Sequence, residues 1–68
     1  MKNEIGKSIK EIRLSHKYSQ QRLAKEIGVT HASISFWENG VNIPNVEDCW
    51  KMAECFGISI DELVGKIK

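Results

Sequence analysis

The sequence predicts an all-α domain organised around a helix-turn-helix. Three observations carry this. Apolar residues recur at helical spacing along most of the chain, as at Ile5, Ile9 and Ile12 or Leu23, Ala24 and Ile27. The periodic stretches are bracketed by cap residues and glycines: Ser19 and Gly28, Thr30 and Asn39-Gly40, Asn45 and Gly57. Two of the helices so marked, between Ser19 and Gly40, are separated by only three or four residues including Gly28. Such a connection makes two helices meet at a steep angle.

A first helix is expected over Asn3 to His16, with Ile5, Ile9 and Ile12 as its buried stripe and Lys7, Lys10 and Glu11 on the other faces. On helical phase alone Arg13 sits beside the stripe, where a solvated arginine lays its stem over a core. Lys17-Tyr18 links to the second helix, with Tyr18 tucked under it. Ser19 is an N-cap residue whose hydroxyl accepts from the free N–H groups of the first turn. Ala24 is small enough to let the next helix approach closely. Gly28 ends the second helix, since glycine takes the left-handed C-terminal conformation without strain. Thr30 caps the third, where Ile34 and Trp37, with Val29 just before, lie on one side. Thr30, His31, Ala32, Ser33, Ser35 and Phe36 form the outward set.

After Asn39-Gly40, Pro44 disfavours a helical Ile43, so an extended loop is expected. Asn45 caps a fourth helix, with Asp48 placed for a capping box and for the positive end of the helix dipole. Its expected buried face is Val46, Cys49, Met52, Ala53 and Phe56. Trp50, one step off that face, is either a half-buried surface aromatic or an anchor for a partner chain. Ser59 to Glu62 is a capping box in the S-x-x-E form. It opens a short last helix through about Gly65, whose Ile60, Leu63 and Val64 close the core. Lys66-Ile67-Lys68 is expected to fray.

The 68 residues suffice for one small domain, 1–68. A core of this size yields only a few kcal/mol net, so tight packing or association should support it. The longest uncharged run, Gly28 to Trp37, is far short of the about 20 apolar residues of a membrane span. Charges run through Met1 to Glu11, unlike a secretory leader, so a cytoplasmic location is expected. Cys49 and Cys55 would lie roughly 9 Å apart along a helix axis, too far for a disulfide. Without nearby histidines they make a poor zinc site, and they read as small core residues. His16 and His31 have no paired nucleophile, Asp61-Glu62 are explained by capping, and no glycine-rich phosphate loop is present. These features point away from an enzyme, a cofactor or a small-molecule ligand.

Net charge is +1, but the halves differ. Residues 1–37 carry seven Lys or Arg and three Asp or Glu; residues 38–68 carry three and six. The basic half coincides with the helix-turn-helix at residues 19–40, as on a nucleic-acid-binding face. In such a unit the second helix enters the major groove of double-stranded DNA. Gln20 and Gln21, at the start of the first helix, set amide donors and free N–H groups together for a phosphate. Outward-facing Phe36 and Ala32 suit a thymine methyl, and His31 and Ser33 suit base edges or phosphates. Phe36 could instead be a core residue or a dimer contact, although Trp37 already takes the inward direction.

The ordered series IKEIR, SQQRLAKEIGV, ISFWENG, Pro44-Asn45-Val46 and MAECFGISIDEL resembles the Cro/repressor-type helix-turn-helix family, also called Xre or lambda-repressor-like. The resemblance covers about Ile5 to Val64. It implies five helices, with the second and third as the DNA-reading unit of a dimeric regulator, most often a repressor on a pseudo-palindromic operator. It implies that Gln20 meets DNA near the backbone and that His31, Ala32 and Phe36 hold base-reading positions. Thr30, Ser33 and Ser35 stand near phosphates or bases, and Asn39 near phosphate. It also implies a largely buried pair of Arg13 with Glu38. The positions of Ala32 and Phe36 hold glutamine, arginine or lysine in many relatives, so readout here should lean on methyl contacts and DNA shape. The dimer is expected to use Val41, Ile43 and Trp50 or the last helix. An alternative function is a protein-interaction module of the same fold, of antitoxin or anti-repressor type.

Overall fold

The computed structural model describes residues 4–65. Among them run five helices: α1 (Glu4–Ser15), α2 (Gln20–Ile27), α3 (His31–Glu38), α4 (Val46–Phe56) and α5 (Ile60–Leu63). The expected start at Asn3 and the tail Lys66–Lys68 lie outside the described residues. At its other end α1 stops before His16, one residue earlier than expected, and α5 stops at Leu63, with Val64 and Gly65 in a turn.

Each helix from α2 onward starts on a side-chain cap. Ser19 Oγ accepts from Arg22 N (3.0 Å), Thr30 Oγ1 from Ser33 N (3.1 Å) and Asn45 Oδ1 from Asp48 N (2.7 Å). The reciprocal capping box forms at Ser59, where Glu62 reaches back to the Ser59 N–H (3.1 Å). Gly28 closes α2 in the left-handed conformation (φ 75°), as its position predicts. The end of α1 is less ordinary. Lys17 takes the left-handed place (φ 60°) that glycine fills elsewhere. The Lys17 N–H reaches the Leu14 carbonyl and the Tyr18 N–H the Arg13 carbonyl, both at 3.0 Å, so the closing bonds form despite the side chain.

The core gathers Ile9 from α1, Leu23, Ala24 and Ile27 from α2, Ile34 and Trp37 from α3, Cys49, Met52, Ala53 and Phe56 from α4, and Leu63 from α5. Ile5, Ile12, Tyr18, Val29, Ile60 and Val64 pack partly buried around it. Tyr18 meets the Phe56 ring edge-on at 5.3 Å and carries the Arg22 guanidinium 4.0 Å above its own ring. Both cysteines are free: Cys49 is buried and Cys55 half-buried, its Sγ 3.8 Å from the Tyr18 hydroxyl. Burial, and secondarily the Asp48 charge, pushes the Cys49 thiol above its ordinary pKa.

Val46 is the exception on α4. It has the helical phase of the buried stripe but is 75% exposed. It stands in the first turn, and at this end of the helix Pro44 is the buried residue instead. Phase alone does not bury a side chain where no element lies over that turn.

Gly6, which the periodicity does not single out, is where α1 crosses the end of α3. A Cβ at Gly6 would collide with the Trp37 carbonyl oxygen and lie 3.3 Å from Glu38 Cα. On an open helix Gly6→Ala would stabilise by about 1 kcal/mol. Here we expect the opposite sign, a loss of about 1–3 kcal/mol from overpacking, seen as a melting temperature lower by roughly 5–20 °C. A higher melting temperature would show that the two helices do not approach in this way.

Candidate nucleic-acid interface

The helix-turn-helix of α2 and α3 is fixed by what it buries. Leu23, Ala24 and Ile27 of α2 and Ile34 and Trp37 of α3 point into the core. With these inward, helical geometry turns His31, Ala32 and Phe36 outward, and all three are exposed, Phe36 at 44%. Ser33 and Ser35 are half-buried at the flanks, and Thr30, Gln21 and Asn39 are exposed. Thr30 and Ser33 share a hydroxyl–hydroxyl bond of 3.0 Å, and the Asn39 amide donates to Ser35 Oγ at 3.3 Å. Among the described residues the Gln21 amide has no side-chain hydrogen bond, and Ala32 and Phe36 are apolar.

Behind this face lies a polar network. The Arg13 guanidinium grips the Glu38 carboxylate through two bonds, Nε to Oε2 (2.6 Å) and Nη2 to Oε1 (3.0 Å). Its third arm donates to the Tyr18 carbonyl at 2.8 Å. Gln20 Nε2 also donates to Glu38 Oε1 (2.9 Å), and Gln20 Oε1 lies 2.8 Å from His31 Nε2. The Arg13 and Glu38 side chains are only 8% and 3% exposed. Arg13 is therefore not a solvated arginine over the core. Helical phase missed this because the partner lies 25 residues away. The network ties α1, the α1–α2 link, α2 and both ends of α3 together. No polar side-chain atom buried among the described residues lacks a hydrogen bond.

Glu38 is the only ionisable acid of α3, and Arg13 neutralises it inside the protein. From Thr30 to Trp37 there is no charged residue. The outward face of α3 thus offers hydroxyls, an imidazole, a methyl and a phenyl ring, with no negative charge against a phosphate backbone. On α2 the exposed Arg22 and Lys25 stand against the single exposed acid Glu26. Among the described residues no three His, Cys, Asp or Glu side chains converge on a possible metal site, and no helix is long and apolar enough to cross a membrane.

The model of a family described as helix-turn-helix matches residues 9–63. The chain belongs to that family. It is of the Cro/repressor, or Xre, type that the motif series indicates. Over 61 residues, 90% of this helix-turn-helix chain, it is 31% identical to the HTH-type transcriptional activator BcrR of Enterococcus faecalis, of which it covers 30%. Over 48 residues, 71% of the chain, it is 40% identical to the cryptic phage CTXphi transcriptional repressor RstR of Vibrio cholerae, of which it covers 43%. The chain thus spans less than half the length of these curated relatives. Among solved structures it is similar to a chain of the SinR protein/SinI protein complex, with a TM-score of 0.83 and 27% identity, over 91% of this chain and 61% of that one. The all-helical fold is that of the lambda-repressor-like domains.

The family positions implied for DNA contact fall in this structure into two groups. Gln20 and His31 are bonded to one another and, through Gln20, to the buried pair. Ala32, Phe36 and Gln21 project freely, and Asn39 lies at the far end of α3 as its C-cap. The links of Gln20 to Glu38 and to His31 were not legible in the sequence, where nothing marks a bond across 18 or 11 residues.

Removing Arg13 strands a buried carboxylate. We expect Arg13→Ala to cost about 3–5 kcal/mol, against a total stability of roughly 3–10 kcal/mol for a domain of this size. Thermal unfolding monitored by circular dichroism tests it. An unchanged melting temperature would contradict the structural role of the pair.

Proposed function

We propose that this chain is a sequence-specific, double-stranded-DNA-binding transcriptional regulator, acting as a repressor by binding and not by catalysis. The single observation that carries this reading is the uncharged, outward face of α3, which the core and the buried ion pair hold beside the start of α2. Such a helix fits the major groove. Phe36 and Ala32 pack on thymine methyls, His31 and Ser33 meet base edges or phosphates, and Thr30 and Ser35 stand at the margin. Gln20, Gln21 and Asn39 hold the backbone. The name of RstR, a transcriptional repressor, supports the reading, and that of BcrR, a transcriptional activator, supports regulation of transcription without its sign. The cytoplasm, where the DNA lies, is its proposed location.

The operator in this reading is pseudo-palindromic, and two copies bind half-sites about 34 Å apart. A second copy is the proposed occupant of an exposed apolar strip. Val41 and Ile43 in the loop after α3, with Val46 and Trp50 one turn apart on α4, are all 61–75% exposed. Glu47 and Lys51 flank Trp50, with their charged ends 3.8 Å apart. Two α4 helices meeting antiparallel across a two-fold axis would set each Lys51 against the other copy's glutamates, a self-complementary arrangement. The same strip favours the second reading, a module that binds a different protein. The likeness to a chain in the SinR protein/SinI protein complex supports keeping it.

Selection of bound duplexes from a random pool, then a salt titration of the best binder, separates the readings. We expect an inverted-repeat consensus, affinity that falls only modestly with salt because the named phosphate contacts are uncharged amides, and about a tenfold loss with relaxed preference at a thymine on Phe36→Ala. Equal affinity for unrelated duplexes, with the full salt slope, would mark a non-specific DNA binder. No enrichment at low salt would favour the protein-partner reading, and Trp50→Ala would then abolish partner binding.

A further inference from the structure

The buried ion pair fixes more than helix positions. It fixes the direction of each hydrogen bond leading out to the surface. Glu38, gripped at both oxygens by Arg13, is a carboxylate and can only accept. The Gln20 atom beside it must therefore be the amide nitrogen, because the opposite orientation would set the amide oxygen against a carboxylate oxygen. That places the Gln20 oxygen, again only an acceptor, 2.8 Å from His31 Nε2. The His31 Nε2 must carry the proton. In a neutral imidazole the other nitrogen is then an acceptor. Nδ1 of the exposed His31 has no hydrogen-bond partner among the described residues.

We infer that the Arg13–Glu38–Gln20 chain holds His31 in its Nε2–H form, so that Nδ1 faces DNA as a hydrogen-bond acceptor that selects adenine or cytosine over guanine or thymine on the strand it meets. Adenine and cytosine present exocyclic amino donors in the major groove, whereas guanine and thymine present only acceptors and a methyl there. Gln20 is a positioning residue in this scheme. Its amide nitrogen donates to Glu38 while its oxygen accepts from His31, so it passes the polarity of the buried carboxylate to the imidazole. The inference rests on the DNA-binding reading above and adds the sign of one base contact to it.

Two measurements on the whole chain test it. The first needs no DNA. Imidazole nitrogen chemical shifts, recorded at a pH where they report a neutral ring, should show His31 wholly as the Nε2–H tautomer. In Gln20→Met, which removes the acceptor, the Nδ1–H form should become measurable. A dominant Nδ1–H form in the unaltered protein would overturn the inference. The second measures affinity for duplexes that vary the base pair whose preference disappears in His31→Ala. We expect adenine or cytosine to be favoured on one strand there by about fivefold to tenfold. In Gln20→Met that preference should weaken while preferences at other positions persist. Preference for guanine or thymine, or no preference that depends on His31, would overturn the inference and leave the DNA-binding reading intact. Failure to bind any duplex would overturn both, whatever the tautomer.

Discussion

The constraint on which this structure depends is the closed-in pair of Arg13 and Glu38. Its carboxylate accepts three hydrogen bonds, two from Arg13 and one from Gln20, and its guanidinium also caps the Tyr18 carbonyl. Burying two charges is expensive, and such a pair seldom adds net stability over a well-packed apolar alternative. Its effect is on geometry. An arginine in the last turn of α1 can satisfy all these acceptors only if the end of α3, the start of α2 and the intervening link stand where they do. Gly6 adds a second point of contact between the same two helices, with the α1 backbone seated against the Trp37 carbonyl. Together the two contacts hold α3 from behind, while Ile34 and Trp37 anchor its inward side.

What α3 presents to solvent follows from these restraints. A helix of eight residues gains little from its own hydrogen bonding, so its orientation is set by packing and caps. Thr30 caps its start, and the chain beyond Asn39 folds back so that the Val41 N–H bonds the Phe36 carbonyl at 2.9 Å. The phenyl ring of Phe36 is left on the outward face, one helical turn from Ala32. Placing the one acid of the helix inside, against Arg13, both builds the scaffold and removes a charge that would repel phosphate.

Much of the fold was legible because it is written in local chemistry. The caps at Ser19, Thr30, Asn45 and Ser59 and the glycines at 28 and 57 bracket their helices where side-chain oxygens and left-handed backbone require them. Three features were not legible in that way. Val46 obeys the periodicity, yet burial depends on what lies above a residue, and Pro44 takes the covered place. Helical periodicity does not mark Gly6, because the Trp37 carbonyl it lies against belongs to a helix 31 residues further along the chain. The Gln20–His31 bond spans a turn whose angle no spacing rule resolves. For Arg13, phase placed the side chain beside the core, while its partner Glu38 was suggested only by the family resemblance.

The most direct test of the account is a map of amide chemical-shift changes when the protein binds its best selected duplex. If the face held by the buried pair is the reading surface, the largest changes fall at Gln20 and Gln21, from Thr30 to Phe36 and at Asn39, and smaller ones on α4 reflect only the second copy. Large changes confined to Val41 through Trp50, with α3 unmoved, would contradict it and make the apolar strip the working surface of the molecule.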